Sequence, residues 1–263
     1  MNSIVGKYDI AFLVLDSLRY DVAEQEYSAG HTPNLRKLFP NGWEKRHSPG
    51  SFTYAAHSAF FAGFLPTPAD ARASTERLFA STFAGSETTG NNTYCFPEDN
   101  FISALEREGY HTSCIGGVGF FNKQNAISNV FPDLFTESHW SPEMGVTGHH
   151  STELQFTLAS KILSALPSES RSLLYINISA IHQPNCHYLE HQSDSLDTHA
   201  AALRYVDSCL PPLIDTLKSR GTFIIMCSDH GTLYGESGFI GHRVGHEHVF
   251  TVPYSHTLLL PHE

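Results

Sequence analysis

The chain has 263 residues, 41% of them hydrophobic and 12% aromatic, and a formal net charge of −11 with only 16 Lys and Arg. That length can bury a full core, and the reading is a single α/β domain over 1–263. The acidic balance argues against nucleic-acid or anionic-membrane partners, which need a basic patch to release counterions.

No stretch reaches the roughly 18 apolar residues of a membrane span. The N-terminal "MNSIVGKYDIAFLVLDSLRYD" turns acidic too soon for a cleaved leader, so a cytoplasmic location is expected. The five cysteines (Cys95, Cys114, Cys186, Cys209, Cys227) are scattered and lack a CxxC pair, which predicts reduced thiols rather than a disulfide frame or zinc knuckle. The count of 17 His, denser in the second half, raises metal chemistry.

In chain order, "YDIAFLVLDS" at 8–17 is a short, nearly continuous apolar run, the pattern of a parallel strand buried on both faces. It ends at Asp16. "TPNLRKLF" at 32–39 opens a helix with Thr-Pro. The segment "SFTYAAHSAFFAG" at 51–63 predicts a helix that buries Phe60 and Phe61. There Ser51 or Thr53 can act as an N-cap, with His57 on the exposed face. Alternatively, a hydroxyl at this positive helix end sits where phosphate or sulfate is favoured. "DNFISALEREGYHTSCIGGVG" at 99–119 reads as helix, Gly turn and strand. Residues 67–98 and 120–152 are Gly-, Ser-, Asn- and Thr-rich with weak periodicity and read as long loops beside a site.

"RSLLYINISAIH" at 171–182 is a second buried strand ending at His182. "THAAALRYVDSCLPPLIDTLKSRG" at 198–221 is a long helix, and Pro211 and Pro212 predict a kink or two pieces. "TFIIMCSDHG" at 222–231 is the third buried strand, ending at Asp229 and His230. Strand ends of a parallel sheet share one edge, where ligands bind. Singly, Asp16 reads as a helix cap, His182 as a core histidine and Asp229 as a turn residue. Jointly, Asp16, Asp229 and His230 form an O/N donor set suited to Zn²⁺ or Mn²⁺, with Mg²⁺ or Ca²⁺ as further options. Thr53 would complete it, since a metal-bound hydroxyl loses its proton more readily.

With these residues assembled, the chain resembles the alkaline phosphatase superfamily on its sulfatase and lipoteichoic acid synthase side. "VLDSLRYD", "HTPNLRKL", "TYAAHSAFFAGFLP" and "SDHGTLYGESGFIGH" followed by "VPY" match in order. The resemblance implies a three-layer sandwich with a mostly parallel central sheet. It also implies metal ligands Asp16, Thr53, Asp229 and His230. Thr53 stands where sulfatases carry the cysteine converted to formylglycine, and His57 stands where they carry an arginine. Formylglycine chemistry is therefore not implied. "GYHTSCIGGVGFFN" at 109–122 is more similar to lipoteichoic acid synthases, which, like phosphoethanolamine transferases, use a Thr nucleophile on phosphorus.

His182, in "HQP", and His242, 12 residues after His230, match histidines that bind substrate or a second metal in those relatives. His246, in "GHRVGHEH", is a further candidate for that second site. The implied function is metal-dependent hydrolysis or transfer of a small phosphate ester, of phosphodiesterase or phosphatase type, through a phospho-threonine. Hydrolysis of sulfate or phosphonate esters and ligand binding without turnover are the alternatives. The sequence leaves the oligomeric state open.

Overall fold

The computed structural model describes residues 2–63, 100–190 and 192–261. It also describes the backbone of two short strands, Phe79–Ser81 and Tyr94–Phe96, which pair in parallel. The rest of the predicted 67–98 loop lies outside the described residues.

The central sheet has seven strands: β1 (Asp9–Leu15), β2 (Glu44–His47), β3 (Tyr110–Ile115), β4 (Glu137–His139), β5 (Arg171–Ile178), β6 (Thr222–Cys227) and β7 (Thr251–Leu259). Their order is β2-β7-β6-β1-β5-β3-β4, parallel throughout except that β7 runs antiparallel to β6 and β2. The helices longer than one turn are α1 (Tyr20–Ser28), α2 (Pro33–Leu38), α3 (Thr53–Ala62), α4 (Phe101–Arg107), α5 (Ser151–Ala165) and α6 (Leu196–Arg220).

Alternation along β1 builds a core on each face of the sheet. Ala11, Leu13 and Leu15 pack with Leu35, Phe156 and Leu210 from α2, α5 and α6. Ile10, Phe12 and Val14 pack with Phe61, Ile102 and Phe131 on the α3 and α4 side. With both faces covered, β1 reads as an unbroken apolar run. The result is the α/β sandwich that the sequence implied.

Four expectations are corrected. The 120–152 segment is not a loop throughout, since it holds a one-turn helix at Ala126–Asn129 and the edge strand β4. β5 stops at Ile178, four residues before His182. β2 and β7 were missed altogether. β7 begins in the "VPY" segment, where Pro253 pairs with Lys45 of the edge strand β2.

The fourth correction is α6, one helix of 25 residues that runs through Pro211 and Pro212. Proline at 211 has no N–H for the carbonyl of Asp207 four residues back. The Nδ2 of Asn34, in the "TPNL" segment, donates to that carbonyl at 3.0 Å instead. The Asp207 carboxylate in turn accepts the backbone N–H groups of Asn34 and Leu35 at 3.3 and 2.7 Å. The start of α2 thus satisfies the carbonyl that Pro211 frees in α6.

Candidate active site

Three crossings of the sheet deliver polar residues to one edge. Asp16 directly follows β1, Asp229 and His230 follow β6, and Thr53 is the first residue of α3. All four are buried. Donor atoms of Asp16, Asp229 and His230 lie within 4.8 Å of one another. Thr53 Oγ1 is 3.5 Å from Asp16 Oδ2 and 3.4 Å from His230 Nε2. The expected quartet is brought together.

The sequence expectation that Ser51 or Thr53 caps α3 does not hold. The N-cap is Phe52, and no side chain caps this helix. The Thr53 hydroxyl faces the acidic cluster, and the first turn of the helix carries no acidic residue of its own.

Neighbouring groups fix each donor. Asp16 Oδ1 accepts from Ser17 Oγ at 3.0 Å and Oδ2 from Asn177 Nδ2 at 2.9 Å. Asp229 Oδ1 accepts from the backbone N–H groups of Ser17 and His230, at 3.1 and 3.0 Å. To reach that position Ser17 takes φ 66°, a conformation non-glycine residues adopt at a cost. Gly231 has no such latitude for a side chain, since a Cβ there would fall 1.9 Å from the His248 carbonyl oxygen. The His230 ring donates from Nδ1 to the Gly231 carbonyl at 2.9 Å, which leaves the Nε2 lone pair facing Thr53.

One atom of this cluster is unsatisfied. Asp229 Oδ2 is buried and has no hydrogen-bond partner among the described residues. Burial, and secondarily the charge of Asp16, hold the Asp229 carboxyl well above the usual carboxylate range. Burial also pushes Asp16 upward, but His182, His230 and the Asn177 hydrogen bond outweigh it and hold that carboxyl low. Two buried carboxylates, an orphaned oxygen, an imidazole lone pair and a hydroxyl form a donor set that a divalent cation would satisfy.

His57 is not on the exposed face; it is fully buried. Because a carbonyl only accepts, Nδ1–H donates to Thr53 O at 2.7 Å, and Nε2 takes the Tyr175 hydroxyl at 2.6 Å. Burial among Phe60, Phe61, Phe121 and Phe131 lowers its pKa to about 4, so the ring is neutral. A neutral imidazole here props the first turn of α3 against β5.

His182 and His242 line a cavity of about 390 Å³ with Thr53, Val118, Phe120 and Arg243. The His242 ring centre is 4.4 Å from that of His230 and 5.5 Å from that of His182. Burial, followed by the neighbouring imidazoles, lowers His242 to about 3. His246 does not join them. Its Nδ1 accepts the His248 N–H at 3.2 Å as the cap of a one-turn helix, and its Nε2 lies 3.4 Å from Ser237 Oγ. A larger cavity of about 520 Å³ lies between the sheet and α4; it is lined mainly by apolar side chains and shares none with the Thr53 cavity.

The loop before His242 is anchored by residues the sequence reading missed. Buried Arg19 pairs with both Asp21 and Glu236. Against the upward push of burial, Arg19 and the Tyr234 N–H hold Glu236 at about 2. His199 accepts the Arg19 N–H at Nε2 and contacts the Tyr234 hydroxyl at Nδ1, at 3.3 and 2.9 Å. The polar Asn177 within the apolar "LLYINIS" is a legible signal; Arg19, in "DSLRYD", carries no such signal.

Comparisons with known proteins agree with this fold. The sequence profile of the sulfatase family matches residues 9–254, and the chain belongs to that family. No curated protein matches it significantly. The fold is similar to the integral membrane lipooligosaccharide phosphoethanolamine transferase A of Neisseria meningitidis, with TM-score 0.65, 17% identity, and coverage of 97% of this chain and 48% of that one. It is also similar to the lipoteichoic acid synthase LtaP of Listeria monocytogenes, with TM-score 0.63, 14% identity, and coverage of 97% and 65%. The zinc complex of the C-terminal periplasmic domain of EptC from Escherichia coli gives TM-score 0.61, 15% identity, and coverage of 97% and 73%. The chain thus spans about half of the Neisseria enzyme. Among the described residues, no helix is long and apolar enough to cross a membrane.

Proposed function

We propose that this chain is a metal-dependent enzyme that hydrolyses or transfers phosphate esters, with Thr53 as nucleophile and a phospho-threonine as intermediate. The observation that carries the reading is the uncapped Thr53 hydroxyl held 3.4 to 3.5 Å from His230 Nε2 and Asp16 Oδ2. Asp16, Asp229, His230 and Thr53 would hold the cation, and Zn²⁺ or Mn²⁺ suits this mixed oxygen and nitrogen set. When bound, the cation lowers the pKa of the hydroxyl and stabilises charge on the phosphoryl oxygens.

Thr53 Oγ1 gives up its proton towards Asp16 Oδ2 and forms a bond to phosphorus as the bond to the departing oxygen breaks. The neutral His242 ring hydrogen-bonds the phosphoryl or departing oxygen. His182 spends Nδ1–H on the Gln183 carbonyl, which leaves the Nε2 lone pair free to take a proton from the incoming water or alcohol. Attack by that oxygen on phosphorus then releases Thr53. Threonine in place of the sulfatase cysteine favours phosphorus over sulfur.

The test is turnover of chromogenic phosphate mono- and diesters and sulfate esters by protein loaded with Zn²⁺ or Mn²⁺. Phosphate ester turnover is expected. Sulfate turnover that outpaces it would move the assignment to sulfuric esters, and no turnover of any ester would leave a binding protein.

A further inference from the structure

Beside Thr53, the same cavity is lined by side chains that carry hydrogen-bond donors. Asn122 and Asn125 line it together with Arg243, His182 and His242. The amide orientations are set by their neighbours. Asn122 Oδ1 accepts the Gln124 N–H and Asn125 Oδ1 accepts the Ser128 N–H, both at 3.1 Å. Each carbonyl oxygen is therefore engaged locally, and the NH₂ groups, which meet no acceptor among the described residues, are the ends left for a ligand.

Arg243 is held in a costly conformation to reach this place. Its φ is 71°, in the left-handed region that non-glycine residues seldom occupy outside turns and functional sites. Its N–H donates to Ser51 O at 2.9 Å, and its guanidinium lies 5.1 Å from the centre of the Phe52 ring. Ser51 and Phe52 lead directly into Thr53, so Arg243 is fastened to the backbone that carries the nucleophile. Among the described residues no carboxylate pairs with its guanidinium. This contrasts with Arg19, whose charge is spent on Asp21 and Glu236.

We propose that Arg243, with Asn122 and Asn125, forms an anion subsite beside the phosphoryl position, so that the substrate is a phosphate ester whose organic portion carries a second negative charge. The proposal rests on the phosphate-ester reading above. A guanidinium and two amide NH₂ groups match a carboxylate or a second phosphate, and they repel an ammonium. Phosphoethanolamine, the group named in the Neisseria neighbour, carries the opposite charge on its organic portion.

Binding without turnover separates the two readings. Metal-loaded Thr53→Ala protein is titrated calorimetrically with glycerol 3-phosphate, 3-phosphoglycerate and phosphoethanolamine, and again with Arg243→Gln added. The expected result is that 3-phosphoglycerate binds about tenfold more tightly than the other two, a difference of about 1.4 kcal/mol. Arg243→Gln should erase that gap while glycerol 3-phosphate binding stays within about twofold, because a truncated distal contact spares the phosphoryl site. Arg243 is exposed, so the variant should fold, and Arg243→Lys should retain part of the gap.

A gap that survives Arg243→Gln would mean that the carboxylate chelates the metal, and would overturn the subsite. Equal binding of all three probes, or tighter binding of phosphoethanolamine, would overturn it as well while leaving the phosphate-ester reading intact. Failure of folded, metal-loaded protein to bind inorganic phosphate or any probe would overturn both.

Discussion

Two helices begin beside a hydroxyl residue, and they use it in opposite ways. At α6, Ser195 Oγ accepts the Thr198 N–H at 3.2 Å while Thr198 Oγ1 accepts the Ser195 N–H at 2.8 Å. This reciprocal cap spends the Ser195 hydroxyl on helix stability. At α3, Thr53 sits one position inside the helix, caps nothing, and turns its hydroxyl to Asp16 and His230. A hydroxyl withheld from capping is available for chemistry, and the helix that carries it is held by other means: the His57 bond to the Thr53 carbonyl and the aromatic packing around that ring.

The largest expected effect is at Thr53. Thr53→Ala should lower kcat by several orders of magnitude, on the order of 10⁴ or more, as loss of a nucleophile does elsewhere. Because no cap is lost, its melting temperature should stay near that of the native protein. Thr53→Ser should keep part of the activity.

Next in size is His242→Ala, which should lower kcat/KM about 10²-fold, the scale of losing one phosphoryl-binding donor. Stability should change little, since the adjoining loop is anchored through Arg19 and Glu236 rather than through this ring. A large fall in melting temperature with kinetics preserved would make His242 a structural residue.

The loop anchor also has a pH signature. Burial, followed by the charge of Arg19, lowers His199 from 6.5 to about 3. Between those values the unfolded chain binds a proton that the folded chain excludes, so stability rises with pH across the window and is lost as pH falls below 6.5. One such group contributes about 1.4 kcal/mol per pH unit, roughly 2 kcal/mol between pH 6.5 and 5. Urea unfolding at both pH values should show a smaller loss for His199→Gln than for the native chain.

The smallest effect closes the comparison at α6. Ser195→Ala should destabilise by about 1 kcal/mol, the usual value of a cap, and leave activity unchanged. A Ser195→Ala protein that lost activity, or a Thr53→Ala protein that lost stability, would erase the distinction between the two helix ends.

Strands buried on both faces were legible because β1, β5 and β6 are mostly apolar and polar residues follow them. β2 was not, since "EKRH" is exposed at all four positions, and β7 carries a proline that breaks the pattern. The prolines of α6 predicted a break because nothing in the sequence places Asn34 against Asp207. The cluster of Asp16, Asp229 and His230 was readable from strand ends. The inward turn of His57 was not, because the sequence of one helix does not reveal the Tyr175 hydroxyl waiting on another strand.

The central claim is that Thr53 attacks phosphorus, and the most direct measurement is acid quenching during turnover of a chromogenic phosphate ester, followed by mass spectrometry of the peptide containing Thr53. The account expects a phosphate on Thr53 that vanishes in Thr53→Ala along with turnover. Sustained turnover by Thr53→Ala, or a phosphate trapped on another residue in the native protein, would contradict it.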